Sequence, residues 1–389
     1  MPVPRFCPQP NCPNHHHPSG SWRVRFGCYS TLAHGSVQRY RCRGCGHTLS
    51  DQTQSLHYYA KRCLPLSAIW DSLLGGSCLR EIGRRYRISG PAVQNALLRL
   101  GRQAMAAQIQ LLERLPAQPV AVFDGLRSFL CSQDYPCELV TSVSASGQLI
   151  LQICHFISRR GGKVTEEQKQ RMKLRYQSWR PPKGALSSAI SLLLGHLWDH
   201  LSLAIGEPSL LHSDEHPFYH RFLQRDRVGS HLLSSRLLSH QRTPSTAART
   251  LANPLFPVNY VDRLLRHRLK EHTRETIAFG RNATLQLHRA WIFAHDHNVR
   301  RPHRTRHPEE GSHAAVAGVP KKLLSALAAG FFSRRIRLCG VEVPRPMEEA
   351  WLAKVATPPV RWLVGQKGTS VRVPAYAQRD LADAYQQAS

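Results

Sequence analysis

The feature that most constrains the fold is a short apolar run that ends on an acid. Pro119-Val-Ala-Val-Phe-Asp124-Gly125 is continuous enough to be a buried strand, and its last side chain carries charge. A second run, Leu210-Leu-His-Ser-Asp214, ends the same way. The chain otherwise avoids acid, with 53 Lys and Arg against 25 Asp and Glu and a net charge of +28. Such a field attracts polyanions, so carboxylates at strand ends call for a bound cation to justify them. The combination points to metal-dependent chemistry on nucleic acid.

The 389 residues are 42% hydrophobic, normal for a globular chain, so the charge does not signal disorder. No apolar run reaches the ~18 residues of a membrane span, and Met1-Pro-Val-Pro-Arg-Phe-Cys7 lacks the apolar stretch of a signal peptide. The expected setting is therefore cytoplasmic, without a membrane partner. Eleven cysteines, an odd number with four at metal-ligand spacing, fit a reducing compartment better than a disulfide framework.

Those four are Cys7, Cys12, Cys42 and Cys45, two pairs separated by 30 residues, with Gly44 and Gly46 flanking the second pair. Four thiolates so spaced suit one structural Zn²⁺. Cys28 and His15-His-His17 are competing ligands, and the histidines read better as a solvated loop.

Residues 64–115 read as helices. Leu79, Ile82 and Tyr86 share a face, Arg87-Ile-Ser89 makes a turn, and Pro91 begins a helix with Val93, Leu97 and Leu100 on one side. This is a helix-turn-helix pattern. Gln94, Asn95 and Arg99 would face the major groove, and Arg84 and Arg85 the phosphates. Residues 119–157 alternate as strands, 158–184 read as a basic exposed excursion, and 185–203 return to helix. Residues 225–260 look irregular and basic, and 275–297 read as helix.

A two-metal site needs about three converging carboxylates, with ions ~4 Å apart. Asp124 and Asp214 are the first two. The third belongs at the start of a helix packed on the sheet, where Glu275 fits, with Glu271 and Glu215 as substitutes. Two basic runs, 159–175 and 297–306, flank the proposed site and suit phosphate contact.

Several stretches resemble a bacterial insertion-sequence transposase of the DDE type. Cys7-Pro-Gln-Pro-Asn-Cys12 and Tyr40-Arg-Cys-Arg-Gly-Cys-Gly-His-Thr-Leu-Ser50 are similar to its zinc ribbons. His212-Ser-Asp214-Glu-His-Pro-Phe-Tyr219 resembles the second-aspartate motif. Asn253-Pro-Leu-Phe-Pro-Val-Asn259 with Arg274-Glu275-Thr-Ile-Ala-Phe279 resembles the glutamate segment, and Asn298-Val-Arg-Arg-Pro302-His303 the signature after it. The resemblance covers roughly residues 5–320.

It implies a zinc ribbon over 1–55, a helix-turn-helix domain over 56–115, a ribonuclease-H-like α/β catalytic domain over 116–310 and an accessory region over 311–389. It also implies Mg²⁺ or Mn²⁺ on Asp124, Asp214 and Glu275, double-stranded DNA as partner (element ends and target), a homodimer or larger assembly, and a nucleoid-associated location. One departure stands out: some such transposases have the glutamate just before Arg-x-Asn, and here Gly280 precedes Arg281-Asn282. That departure favours an alternative, a zinc-containing DNA-binding regulator with an inactive domain. A structure-selective nuclease of the same fold is the other.

Overall fold

The computed structural model describes residues 3–273, 276–336, 342–359 and 377. It is a mixed α/β protein with two separate sheets. Helix α1 (Pro13–His16) precedes an antiparallel sheet of β1 (Arg23–Thr31), β2 (Gly35–Cys42) and β3 (Thr48–Ser50), in that order. Its small core is Cys7, Cys12, Trp22, Tyr40, Cys42 and Leu49. So little apolar area cannot hold a fold alone, so cross-linking by a metal is the expected remedy.

Three helices follow: α2 (Leu66–Leu74), α3 (Leu79–Tyr86) and α4 (Gly90–Leu112). The turn expected at 87–89 is present. Arg87 ends α3 in the left-handed region at φ 52°, and the Ser89 hydroxyl accepts the Ala92 N–H at 3.4 Å to begin α4. Beyond its first turns α4 is buried on nearly every side, so it runs through the interior.

Residues 116–273 build the larger sheet. β4 (Val120–Leu130), β5 (Ser132–Ser144) and β6 (Ile150–Ile157) are antiparallel neighbours. α5 (Glu166–Ser178) and α6 (Ala185–Trp198) then lead to β7 (Ser209–Asp214). α7 (Pro217–Arg225) and α8 (Arg227–Ser234) lead to β8 (Leu238–Thr243). The order is β6-β5-β4-β7-β8, with β7 parallel to both β4 and β8. α9 (Phe256–Arg268) packs across β4 and β5. α10 (Ala283–His295) lies along α4, and α11 (His313–Val316), α12 (Lys321–Gly330) and α13 (Arg345–Trp351) close the far side.

One core joins these parts, from Leu56 and Trp70 through Phe123 and Trp291 to Trp351. α4 stitches it with polar side chains as well. Arg102 donates to the Trp351 carbonyl at 2.8 Å, Gln103 to that of Phe331 at 2.8 Å and Gln108 to that of Ile150 at 2.9 Å. No break in packing marks residue 115.

Three expectations need correction. Residues 225–260 are not irregular: they hold α8, β8 and the first turns of α9, whose entry is set by Pro257. The helix expected from 275 begins only at Ala283, where the Asn282 side chain caps it by accepting the Leu285 N–H at 3.0 Å, and Ile277 is 94% exposed rather than part of a stripe. The excursion at 158–184 contains α5, a helix with no buried residue. α5 is moored by Asp134, which pairs with Arg160, Arg171 and Arg175 at 3.4, 3.3 and 3.2 Å. Those arginines are committed to a buried carboxylate, which weakens their assignment to phosphate. Ser370-Val-Arg-Val373, whose alternation suits a strand, lies outside the described residues. Among the described residues, no helix is long and apolar enough to cross a membrane.

Asn298 closes the packing between α10, β6 and α4. Its amide accepts the Ile150 N–H at 3.0 Å and donates to the Ile150 carbonyl and to Gln108 at 2.9 and 3.0 Å, fully buried. Asn298→Ala is expected to cost about 3 kcal/mol, since it orphans buried partners at both ends. Urea denaturation measures it, and a loss under 1 kcal/mol would remove Asn298 from this role.

Candidate functional site

The first site is the cysteine cluster. Cys7 and Cys12 come from the turn around α1, Cys42 and Cys45 from the β2–β3 knuckle. Their ligand atoms all lie within 4.8 Å of one another. The closest approaches are Cys7 to Cys45 at 3.5 Å and Cys12 to Cys42 at 3.7 Å. Four sulfurs at this spacing could bind zinc. Burial pushes the Cys7 and Cys12 thiols up, the cost of an uncompensated thiolate there. Burial also acts on Cys42, but the backbone N–H groups of Cys45 and Gly44 outweigh it and bring the thiol down to about 7. A Cβ on Gly44 would lie 2.7 Å from the Asn14 amide nitrogen and displace that side chain from its contact with Cys42 Sγ at 3.6 Å. The competing ligands stay out: His15 uses Nδ1 on the Cys7 carbonyl at 2.7 Å, and Cys28 is exposed on β1.

The second site is on the larger sheet. β4 and β7 pair in parallel up to Val122 opposite His212. Asp124 and Asp214 each lie two residues further along, so parallel pairing sets the two acids side by side. The Asp124 carboxylate accepts the Gly125 N–H at 2.7 Å and that of Asp214 accepts the His216 N–H at 2.9 Å, where α7 begins. Asp214 thus orients the chain into α7, while His216 is the residue that caps it.

Burial raises Asp124 to about 6, and the nearby Asp214 charge adds to that, with Glu138 behind it; the Gly125 N–H and Arg249 act in the other direction. Two further acids face this pair. Glu138, on β5, is raised by burial and by Asp214, against Arg127. A Cβ on Gly125 would stand 2.8 Å from its Oε2 and 3.3 Å from the Tyr219 hydroxyl, so a larger residue there would push the Glu138 carboxylate aside. Asp262, on α9, is held well above the usual carboxylate range by burial first and by Asp124 second, and its Oδ1 is buried with no hydrogen-bond partner. A buried carboxyl near Asp124 with an unsatisfied oxygen is one that a cation would relieve.

Asp262 is the residue that sequence reading missed. The signal was present: a helix begun by Pro257 between Val258 and Val261, both buried, carries one acid toward the sheet. Glu275, expected as the third ligand, lies outside the described residues. Of its substitutes, Glu271 is buried against Arg289 at 3.3 Å and Glu215 is exposed. The carboxylates are not a closed cage: among the described residues, the cysteines alone form a group of three or more ligands at mutual metal-binding distance. Like charges without an ion between them repel, which is consistent with the looser spacing.

A groove of about 550 Å³ opens beside the acids, lined by Glu138, His216, Tyr219, Arg127, Arg159 and Lys183, with Arg127 reaching Glu138 at 3.9 Å. Three cations along one groove suit an anionic chain. The helix-turn-helix residues are mixed. Asn95 is exposed at the start of α4 and Gln94 half-buried, but Arg99 donates to the Leu56 carbonyl at 3.0 Å. Arg84 pairs with Glu81 at 2.6 Å and Arg85 reaches the Ser72 hydroxyl at 3.4 Å, both exposed. The run at 297–306 is largely structural: His297 and Asn298 are buried, Arg301 pairs with Asp296 at 2.7 Å, and Arg300 lies over Trp70.

The chain matches no family model and no curated protein.

Two outcomes are expected. Native mass spectrometry should find one zinc per chain, lost in Cys42→Ser. With no divalent ion added, Asp124→Asn should raise the melting temperature at pH 8. Its folded pKa of about 6 exceeds the ordinary 3.8, so the stability it contributes is present in acid and lost as pH rises through 6. The advantage of the variant should therefore shrink to nothing below about pH 4; a gap independent of pH would mean that Asp124 is ionised without cost.

Proposed function

We propose that this protein is a DNA transposase of the DDE type, with a ribonuclease-H-like catalytic domain. The observation that carries the reading is that Asp124 on β4 lies close enough to Asp214 on β7 and to Asp262 on α9 for their charges to interact with it. Support comes from the strand order, in which three antiparallel strands are followed by a fourth that pairs in parallel with the first and a fifth that pairs in parallel with the fourth, the order of a ribonuclease-H-like sheet. The zinc-binding cysteines, the helix-turn-helix turn and the charge of +28 add to it.

Mg²⁺ or Mn²⁺ would be held by Asp124 and Asp214, with Asp262 as third carboxylate; such ions would activate the attacking oxygen and neutralise charge on the phosphoryl group. The fit rests on the orphaned Oδ1 of Asp262 and on the raised Asp124, both of which a cation would relieve. The groove arginines and Lys183 would hold the phosphate backbone. In the first step a water oxygen bonds to phosphorus and the bond to O3′ breaks, leaving a 3′-hydroxyl and a 5′-phosphate. In the second that hydroxyl attacks a target phosphodiester, displacing the target's own O3′. No covalent protein intermediate forms. Joining two ends calls for at least two copies of the chain.

The regulator reading is favoured by the open spacing of the carboxylates and predicts binding without cutting. The test is Mg²⁺-dependent nicking of DNA carrying the flanks of the coding region. Asp124→Asn and Asp214→Asn are expected to reduce cleavage by at least about 10³-fold while leaving DNA binding intact. Asp262→Asn should fall equally far, and Glu275→Gln far less. Binding with no cleavage by the unaltered protein would favour the regulator.

A further inference from the structure

The ribbon carries a surface that the carboxylate chemistry does not explain. Residues 1–50 contain six arginines and no acid. β1 is exposed along nearly its whole length and is an edge of its sheet. Two of its side chains, Val24 at 37% and Phe26 at 43% exposure, are apolar and face solvent. Opposite them on β2, register places Arg41 across from Val24. The guanidinium groups of Arg39 and Arg41 lie over the Phe26 ring, 5.3 and 5.8 Å from its centre. Arg23 packs instead on Trp22 and Tyr40, which belong to the ribbon core. The sheet therefore has one arginine-aromatic face turned inward and another turned out.

An exposed phenylalanine between two stacked arginines wastes apolar area unless it is covered. Stacking holds two forked cations in place before binding, which lowers the ordering cost of meeting phosphates. We propose that this face, Phe26 with Arg39 and Arg41, grips the sugar-phosphate backbone of duplex DNA, with Phe26 acting as the platform that aims the two guanidiniums at adjacent phosphates. The occupant follows from charge and geometry: residues 1–50 carry six arginines and no carboxylate, and two guanidiniums held over one ring suit a regular row of phosphates. The contact positions the protein and reads no sequence. It rests on the protein being DNA-binding and not on its being able to cut.

The test is fluorescence anisotropy of the zinc-loaded full-length protein on a labelled random-sequence duplex, across a range of NaCl concentrations. Arg39→Ala/Arg41→Ala should lower the slope of log affinity against log salt by about 1.8, two phosphate contacts. Phe26→Ala should keep the slope and weaken binding about two- to five-fold, and Arg39→Lys/Arg41→Lys should match it. Lys321→Ala/Lys322→Ala, exposed on α12 and equal in charge change, should leave both unchanged. Retained zinc in each variant, read by mass spectrometry, confirms the ribbon is folded. The proposal is overturned if the arginine pair leaves the slope intact, if the lysine pair shifts it equally, or if Phe26→Ala weakens binding to the single strand alone, which would make the ring a base-stacking platform. Loss of cleavage in Asp124→Asn with an unchanged salt slope would keep the two questions apart.

Discussion

The parallel pairing of β4 with β7 is the constraint on which the rest depends. It joins the antiparallel half of the sheet to the parallel half, and it sets Asp124 beside Asp214. Burial raises the cost of ionising Asp124, and the neighbouring Asp214 charge adds to it. α9 then lays a third acid, Asp262, over the same strand without giving its Oδ1 a donor. Arg249 and Arg266 act on these acids electrostatically and Arg127 pairs with the neighbouring Glu138 at 3.9 Å, yet among the described residues no arginine forms an ion pair with Asp124, Asp214 or Asp262.

The sheet is held in that geometry from behind. α4 crosses the interior and supplies Gln108 to β6, and Asn298 locks the end of α10 to the same strand. The segment that resembled a transposase signature thus owes its buried asparagine to packing. The arginines around it are spent on Asp296 and on the Trp70 ring. Basic residues in this protein divide into those that complete the core and those that remain open to a polyanion, and the ribbon face and the groove beside Glu138 belong to the second set.

Much was legible in residue order. The four cysteines, the turn at 87–89, the strands over 119–157 and the strand before Asp214 all follow from local spacing, because ligand pairs, caps and alternation act between near neighbours. The helix expected at 275 did not, because an apolar stripe on paper ignores the Asn282 cap that starts α10 later. Residues 225–260 looked irregular because their elements are short and basic, and short elements owe their stability to packing.

By itself the sequence determined the charge, two cysteine pairs at metal-ligand spacing and two acids at the ends of apolar runs, since each is a property of near neighbours. Only the tertiary structure decided that those acids lie side by side and that Glu271 is spent on Arg289. It alone picked out Asp262, 138 positions beyond Asp124 in the chain, as the acid facing them. Strand register and helix docking are set by burial between distant segments, and no local pattern encodes which carboxyl will be left without a partner.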